Sequence, residues 1–337
     1  MSQKSTVQSK ILTVGIFLLS IIFPLKVSAQ NYDEIYIFGD SLSDTGNVFN
    51  ITKGAIPPSQ TYYNGRFSNG PVWVEYLASD LGLTFNPKTN FAYGGATTGS
   101  KNIGISGLPG LQQQINSFTS ANPSVNPNAL YIIWAGLNDY VDNFFVNIPD
   151  STPSVTQVIN QAVYNLSASL TSLAAVGAKN IMVVNLPDLG KFPVAGNNNQ
   201  VTALLSTSIN IHNSSLATNL NFLSHQLSPD INIIPLDVNS LVNRIIADPG
   251  EFSFTNVTES CIGNLSVIPI NISPQPVVCT PDKFLFWDQV HPTTATHQII
   301  GELAFSSLKP ASVPEPSVLF GLLTFADLGA VLLLKRR

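Results

Sequence analysis

Residues 34–47 read EIYIFGDSLSDTGN. The opening EIYIF, residues 34–38, is an almost unbroken apolar run. The nine residues that follow are Gly, Asp, Ser, Thr and Asn with a single Leu. A short apolar run that stops in turn-forming residues is the signature of a strand buried on both faces, as in a parallel sheet. Three further runs repeat the pattern. Residues 129–134 (ALYIIW) end at Ala135-Gly136, residues 180–184 (NIMVV) lead into Asn185-Leu186-Pro187, and residues 231–236 (INIIPL) form the fourth. Helical periodicity is predicted between and after them, over 72–80, 108–118, 155–175, 201–227 and 292–308. Strand–helix alternation predicts an α/β fold, a parallel sheet covered by helices on both sides. The chain has 337 residues, enough for two domains. No internal repeat and no linker divides residues 30–311, so one three-layer αβα domain is the expectation.

Hydrophobic residues make up 44% of the chain and charged residues 10%, which excludes a disordered polyelectrolyte. The formal net charge is −5, and acidic residues outnumber basic ones throughout 30–311. No basic stretch lies in that range, so a nucleic-acid partner is not expected.

Positive charge gathers at the two ends. Lys4 and Lys10 precede an apolar run over 11–23, followed by Val27-Ser28-Ala29 with small residues at the −3 and −1 places. This predicts a secretory signal peptide over 1–29, cut before Gln30. The alternative is an uncleaved anchor, for which the run is short against ~30 Å of hydrocarbon. At the other end, Val313-Pro314-Glu315-Pro316 leads into a mostly apolar stretch, 317–334, closed by Lys335-Arg336-Arg337. Asp327 within it disfavours a permanent span. Residues 312–337 are therefore read as a sorting or anchor segment. The two cysteines, Cys261 and Cys279, fall in the exported part and are candidates for a disulfide. With no His beside them they are too few for a metal site.

In open parallel sheets ligands gather at the carboxyl ends of strands. There the sequence places Ser41 after the first strand, Asn138 after the second, Gly94-Gly95 within 90–97 (NFAYGGAT), and Asp288 and His291 within Asp288-Gln289-Val290-His291-Pro292. Acyl transfer through a hydroxyl requires a base, an acid that orients the base, and preformed donors for an oxyanion. Ser41 can be the hydroxyl, His291 the base and Asp288, three residues earlier, the orienter. The N–H groups of Ser41 and Gly95 and the amide of Asn138 can form the oxyanion hole. Each residue alone also has a structural reading: Ser41 as a helix N-cap, Asn138-Asp139 as a turn, the glycines as loop, and Asp288 with His291 as a surface pair ahead of Pro292. All of them together, in order at strand ends, are not accounted for that way.

These stretches resemble the GDSL esterase/lipase family of the SGNH hydrolase superfamily. Its four name-giving residues match Ser41 in Gly39-Asp40-Ser41-Leu42, Gly95 in 90–97, Asn138 in Gly136-Leu137-Asn138-Asp139, and His291. Residues 64–73 (NGRFSNGPVW) and 185–190 (NLPDLG) are similar to the family too. The resemblance implies a flavodoxin-like αβα fold, carboxylic-ester hydrolysis and no cofactor. Whether Gly94 or Gly95 is the oxyanion donor stays open, with Gly95 the better match. Proline-glutamate-proline, apolar helix and basic end together resemble the PEP-CTERM sorting signal, which implies an exosortase-like partner. The expected substrate is a lipid, phospholipid or acylated glycan ester. A polysaccharide deacetylase, an acyltransferase and a non-catalytic surface protein on the same fold are the alternatives.

Around the site, Asp40 is expected to order the Ser41 turn, and Asp44 and Asn47 to brace it. Arg66 is read as a loop anchor or as a partner of an acidic substrate group. Tyr62, Tyr63, Phe67, Phe144 and Phe145 are candidates for an acyl cleft or for ordinary core. His212, His225 and His297 lack an acidic neighbour in sequence.

Overall fold

Alternation along four parallel strands divides the core into two halves, one on each face of a sheet. A computed structural model of the chain describes residues 32–146, 153–263, 277 and 279–309. The leader read at 1–29 and the sorting segment read at 312–337 lie outside these residues. In chain order the elements are β1 (Ile35–Gly39), α1 (Asn47–Ile51), α2 (Trp73–Asp80), α3 (Leu111–Ala121), β2 (Leu130–Trp134) and α4 (Leu137–Val141). Then come α5 (Val155–Ala175), β3 (Asn180–Val184), α6 (Asn199–Gln226), β4 (Asn232–Leu236) and α7 (Val238–Ala247). A short ribbon, β5 (Asn256–Ser260) with β6 (Phe284–Phe286), and α8 (Thr294–Ser307) complete the fold.

The main sheet is parallel in the order β1-β2-β3-β4, with Ile37 opposite Ile132, Ile132 opposite Met182 and Met182 opposite Ile234. Beyond β1, Asn90 makes a parallel bridge to Ile37, and the N–H groups of Phe91 and Tyr93 donate to Ile37 O and Gly39 O at 2.7 and 3.1 Å. This segment is a fifth strand reduced to two hydrogen bonds. With it the spatial order is the doubly wound, flavodoxin-like 2-1-3-4-5.

Ile35, Ile37, Ile132, Trp134, Met182 and Val184 point to one face, where α2, α7 and α8 cover them. Phe38, Tyr131, Ile133, Ile181 and Val183 point to the other, under α3, α5 and the second half of α6. Each such side chain contributes roughly 1.5–3 kcal/mol on burial, and the two faces together make the three layers. Helices α2 and α8 approach closely because position 301 is glycine: a Cβ there would lie 2.8 Å from Tyr76 Cβ and 3.0 Å from Trp73 O.

Strand β4 departs from the sequence reading. It is apolar but not buried on both faces, since Asn232 and Pro235 are exposed at the sheet edge. An edge is where a strand proline is tolerated. Helix α7 carries Val238, Leu241, Val242 and Ile245 on its buried face and is capped by Asp237, whose carboxylate accepts Ser240 N–H at 3.0 Å. That pattern was readable in the sequence and is absent from the helices predicted above. Cys261 and Cys279 form a disulfide, Cα–Cα 5.3 Å. It packs with Ile262, Trp287 and Tyr62 in a small cluster of its own.

Candidate active site

At the end of β1 the chain turns sharply around Asp40. Its carbonyl accepts the N–H groups of Ser43 and Asp44, and its carboxylate accepts Leu42 N–H at 3.0 Å. This turn, and not a helix cap, presents Ser41. Gln114 on α3 grips Gly39 from both sides, accepting its N–H at 2.9 Å and donating to its carbonyl at 2.8 Å. A Cβ at position 39 would overlap Trp134 O on the neighbouring strand.

Asp44 is the hub of the next layer. Its buried carboxylate accepts N–H groups from Gly46, Asn47, Val48 and Gly94, the last at 2.9 Å. Asn47 donates to the carbonyls of Asn90 and Ala92, and Asn90 donates back to Ser43 O at 2.7 Å. Residues 40–47 and 90–95 are thereby sewn into one block. Gly94 N–H is committed to Asp44, while Gly95 lines the pocket beside Ser41. Gly95 adopts φ +82°, and a Cβ there would come within 2.5 Å of Gly104 N and 2.6 Å of Asn102 Oδ1. Glycine is required on both counts. Asn102 holds this loop by donating to Gly94 O and accepting from Gly104 and Ile105 N–H.

Asn138 lies in the first turn of α4, immediately after β2, and its side-chain amide donates to Ala96 O at 2.9 Å. The adjacent Asp139 instead accepts from the N–H and hydroxyl of Thr98, at 2.8 and 2.7 Å.

Asp288 and His291 come from the connection between β6 and α8. Asp288 Oδ1 accepts the N–H groups of Val290 and His291, at 2.9 and 2.8 Å, which closes a tight turn. Asp288 Oδ2 faces His291 Nδ1 at 2.7 Å, and His291 Nε2 faces Ser41 Oγ at 2.8 Å. Asp288 is fully buried, while Ser41 and His291 keep 9% and 6% exposure toward the pocket. They are therefore not a surface pair. Burial alone would raise the Asp288 carboxyl, but the facing His291 and the donors of Val290 and Tyr62 outweigh it, and the group is held below its ordinary range. Burial pushes Asp40 up to about 7 and Asp44 and Asp139 up to about 6.

The pocket above Ser41 is walled by apolar side chains, among them Leu42, Phe67, Ile103, Leu137, Val141 and Leu189. Phe67 also leans on the His291 ring, centroids 5.2 Å apart. Of the five aromatics considered for a cleft, Phe67 alone lines it. Tyr62 is buried behind Asp288, Tyr63 is exposed, and Phe144 and Phe145 pack against the main core. Arg66 pairs with Glu75 at 2.6 Å and anchors its loop. His212 bonds Tyr140 in the core, His225 Nδ1 donates to Asn221 O on the α6 surface, and His297 accepts Trp73 N–H at 3.3 Å. Burial keeps His212 and His297 neutral, lowered to about 4 and about 3. Among the described residues no cluster of three or more His, Cys, Asp or Glu is arranged to hold a metal ion.

The sequence named Ser41, Gly95, Asn138, Asp288 and His291 as candidates, and the structure brings all five together at one end of the sheet. It missed the contacts of Gln114, Asn102 and Tyr62, whose side chains act on residues distant in sequence and carry no local signal.

Fold and site define an αβα protein with a hydroxyl–imidazole–carboxylate chain at the carboxyl end of its parallel sheet. The GDSL-like lipase/acylhydrolase family pattern matches residues 35–304. The chain belongs to that family, has its SGNH hydrolase fold and is an ester hydrolase. It is 30% identical over 320 residues to a phosphatidylcholine-sterol acyltransferase of Aeromonas hydrophila, covering 82% of this chain and 90% of that protein. It is 30% identical to the thermolabile hemolysin of Vibrio parahaemolyticus, over 82% of this chain and 63% of that protein. A GDSL esterase/lipase of Arabidopsis thaliana is 26% identical over 80% of this chain and 87% of its own length.

Proposed function

We propose that the chain hydrolyses carboxylic esters through an acyl-enzyme on Ser41. The observation that carries this reading is the continuous contact Ser41 Oγ–His291 Nε2–His291 Nδ1–Asp288 Oδ2, at 2.8 and 2.7 Å. His291 takes the hydroxyl proton as Ser41 Oγ attacks the ester carbonyl. The tetrahedral oxyanion is met by the N–H groups of Ser41 and Gly95 and the amide of Asn138. Collapse breaks the carbon–oxygen bond to the alcohol, which leaves with the proton from His291. Water then attacks the acyl carbon as it gives a proton to His291, the bond from Ser41 Oγ to the acyl carbon breaks, and His291 returns the proton to Ser41 Oγ as the acid leaves. Asp288 fixes the imidazole tautomer and supports the imidazolium. The commitment of Gly94 N–H to Asp44 favours Gly95 as the donor.

The apolar pocket wall suits the acyl portion of a lipid or phospholipid ester. Acyl transfer to an alcohol, in place of water, is a second reading, favoured by similarity to the Aeromonas acyltransferase. Export is proposed as well, with an exosortase-like partner at the tail; the disulfide fits an oxidising compartment. Ser41→Ala tests the reading with p-nitrophenyl esters. Hydrolysis is lost while the fold, followed by circular dichroism, is kept. Full activity in Ser41→Ala would overturn the assignment.

A further inference from the structure

We propose that Tyr62 is a positioning residue for ester hydrolysis, its hydroxyl sharing the Asp288 carboxylate oxygen that faces His291; the inference rests on the Ser41–His291–Asp288 reading above. Tyr62 Oη donates to Asp288 Oδ2 at 2.7 Å, across 226 positions of sequence. The same oxygen lies 2.7 Å from His291 Nδ1. The opposite oxygen is taken by the N–H groups of Val290 and His291, donors that belong to the turn itself. Among the described residues, Tyr62 is thus the one donor to Asp288 from outside residues 288–291.

The phenol is built into its place. Tyr62 is 6% exposed, and its ring meets Phe67 and Trp287 edge-on, centroids 6.4 and 6.5 Å apart. Phe67 in turn rests on the His291 ring, and Trp287 precedes Asp288 in the chain. The disulfide at Cys261 closes the cluster from behind, with Cys261 and Ile262 N–H donating to Phe286 O and Trp287 O, both at 3.1 Å. Burial and the neighbouring carboxylate raise the phenol far above its ordinary value, so it stays protonated and can act only as a donor toward Asp288.

The chemical consequence follows from charge. A second donor on Oδ2 draws off part of the negative charge that would otherwise stabilise the imidazolium. Removing it leaves Asp288 more strongly charged toward His291. The Nδ1 hydrogen then meets a more strongly charged oxygen, and the carboxylate is freer to turn. The other ionisable groups near the His291 ring are Asp40, on the turn after β1, and His297, on α8. Neither hydrogen-bonds to the Tyr62 phenol, which is directed to Asp288.

Two substitutions make the test directional. Tyr62→Phe keeps the ring and loses the oxygen. Its kcat on a p-nitrophenyl ester is expected to fall by on the order of tenfold with KM unchanged, and the acidic limb of its kcat/KM profile to move to higher pH. Placing 3,5-difluorotyrosine at position 62 strengthens the donor, and the acidic limb is expected to move to lower pH. Opposite shifts support the proposal. Unmoved limbs, or an equal loss at every pH with a lowered Tm, overturn it and leave Tyr62 as packing only. Ser41→Ala, run in parallel, separates the two readings: if that variant keeps activity, the site assignment has failed, and not merely the part given to Tyr62.

Discussion

Asn138 Nδ2 donates to Ala96 O at 2.9 Å, so the loop that carries Gly95 also orients the amide on α4. One amide hydrogen is held by that carbonyl, and the second is left for the pocket that Asn138 lines. Under the proposed assignment, two oxyanion donors from separate segments are therefore set relative to each other before substrate arrives. Such preorganisation is what lets a donor act on a charge that develops only in the transition state.

Asn138→Ala is expected to lower kcat by about 10²–10³ with little change in KM. Steady-state kinetics on a soluble ester checks this. A wild-type kcat would remove Asn138 from the oxyanion hole.

Asp288→Asn is expected to be more severe, lowering kcat by about 10³–10⁴. No backbone carbonyl meets His291 Nδ1 among the described residues, so Asp288 is the hydrogen-bond partner that sets the Nδ1 side of the ring. The asparagine would have to present an NH₂ to the imidazole and to Tyr62, or give up its bonds to Val290 and His291 N–H. A loss of less than tenfold would show that the ring is oriented by something else.

Replacing both Cys261 and Cys279 by serine is expected to reduce unfolding free energy by about 3 kcal/mol, the usual value for a loop of this length. The backbone of Cys261 and Ile262 supports Phe286 and Trp287, next to Asp288, so kcat should fall along with stability. Urea titration and kinetics with and without a reductant check both effects. A variant equal to wild type in both would detach the disulfide from the site.

His212 sets a pH dependence that can be isolated. Its native value is lowered to about 4 by burial, against about 6.5 unfolded. Below pH 6.5 the unfolded chain takes up a proton that the native core refuses, so stability is lost as pH falls from 6.5 toward 4. The margin of wild type over His212→Gln, a variant still able to accept from Tyr140, should shrink by about 3 kcal/mol between pH 7 and pH 4. A margin independent of pH would contradict a buried neutral imidazole.

The difference between what the sequence disclosed and what it hid has a physical basis. Residues 180–184 and 155–175 were bounded correctly because an apolar five-residue run and a Ser154-capped helical period are local signals. Ser41 and Asn138 stood out because each follows a predicted strand where Gly, Asn and Asp mark the end, and Asp288 with His291 because the two are spaced by three on a loop ahead of a predicted helix. Strand β4 looked like its neighbours because apolar content does not reveal an edge. Tyr62 was hidden for a different reason. A phenol buried against a carboxylate 226 positions away has the same sequence appearance as one lining a cleft or filling a core. The role of Asp44, likewise, is set by Gly94, whose N–H arrives only when the two segments fold together.

All of the chemistry proposed for this chain requires Ser41 to be the nucleophile. Peptide mapping after treatment with a fluorophosphonate tests it most directly, because the phosphonyl group stays on the oxygen that attacked. One adduct is expected, on Ser41, formed in wild type and lost in both Ser41→Ala and His291→Ala. An unlabelled wild-type protein that still cleaves esters, or an adduct on another residue, would contradict it.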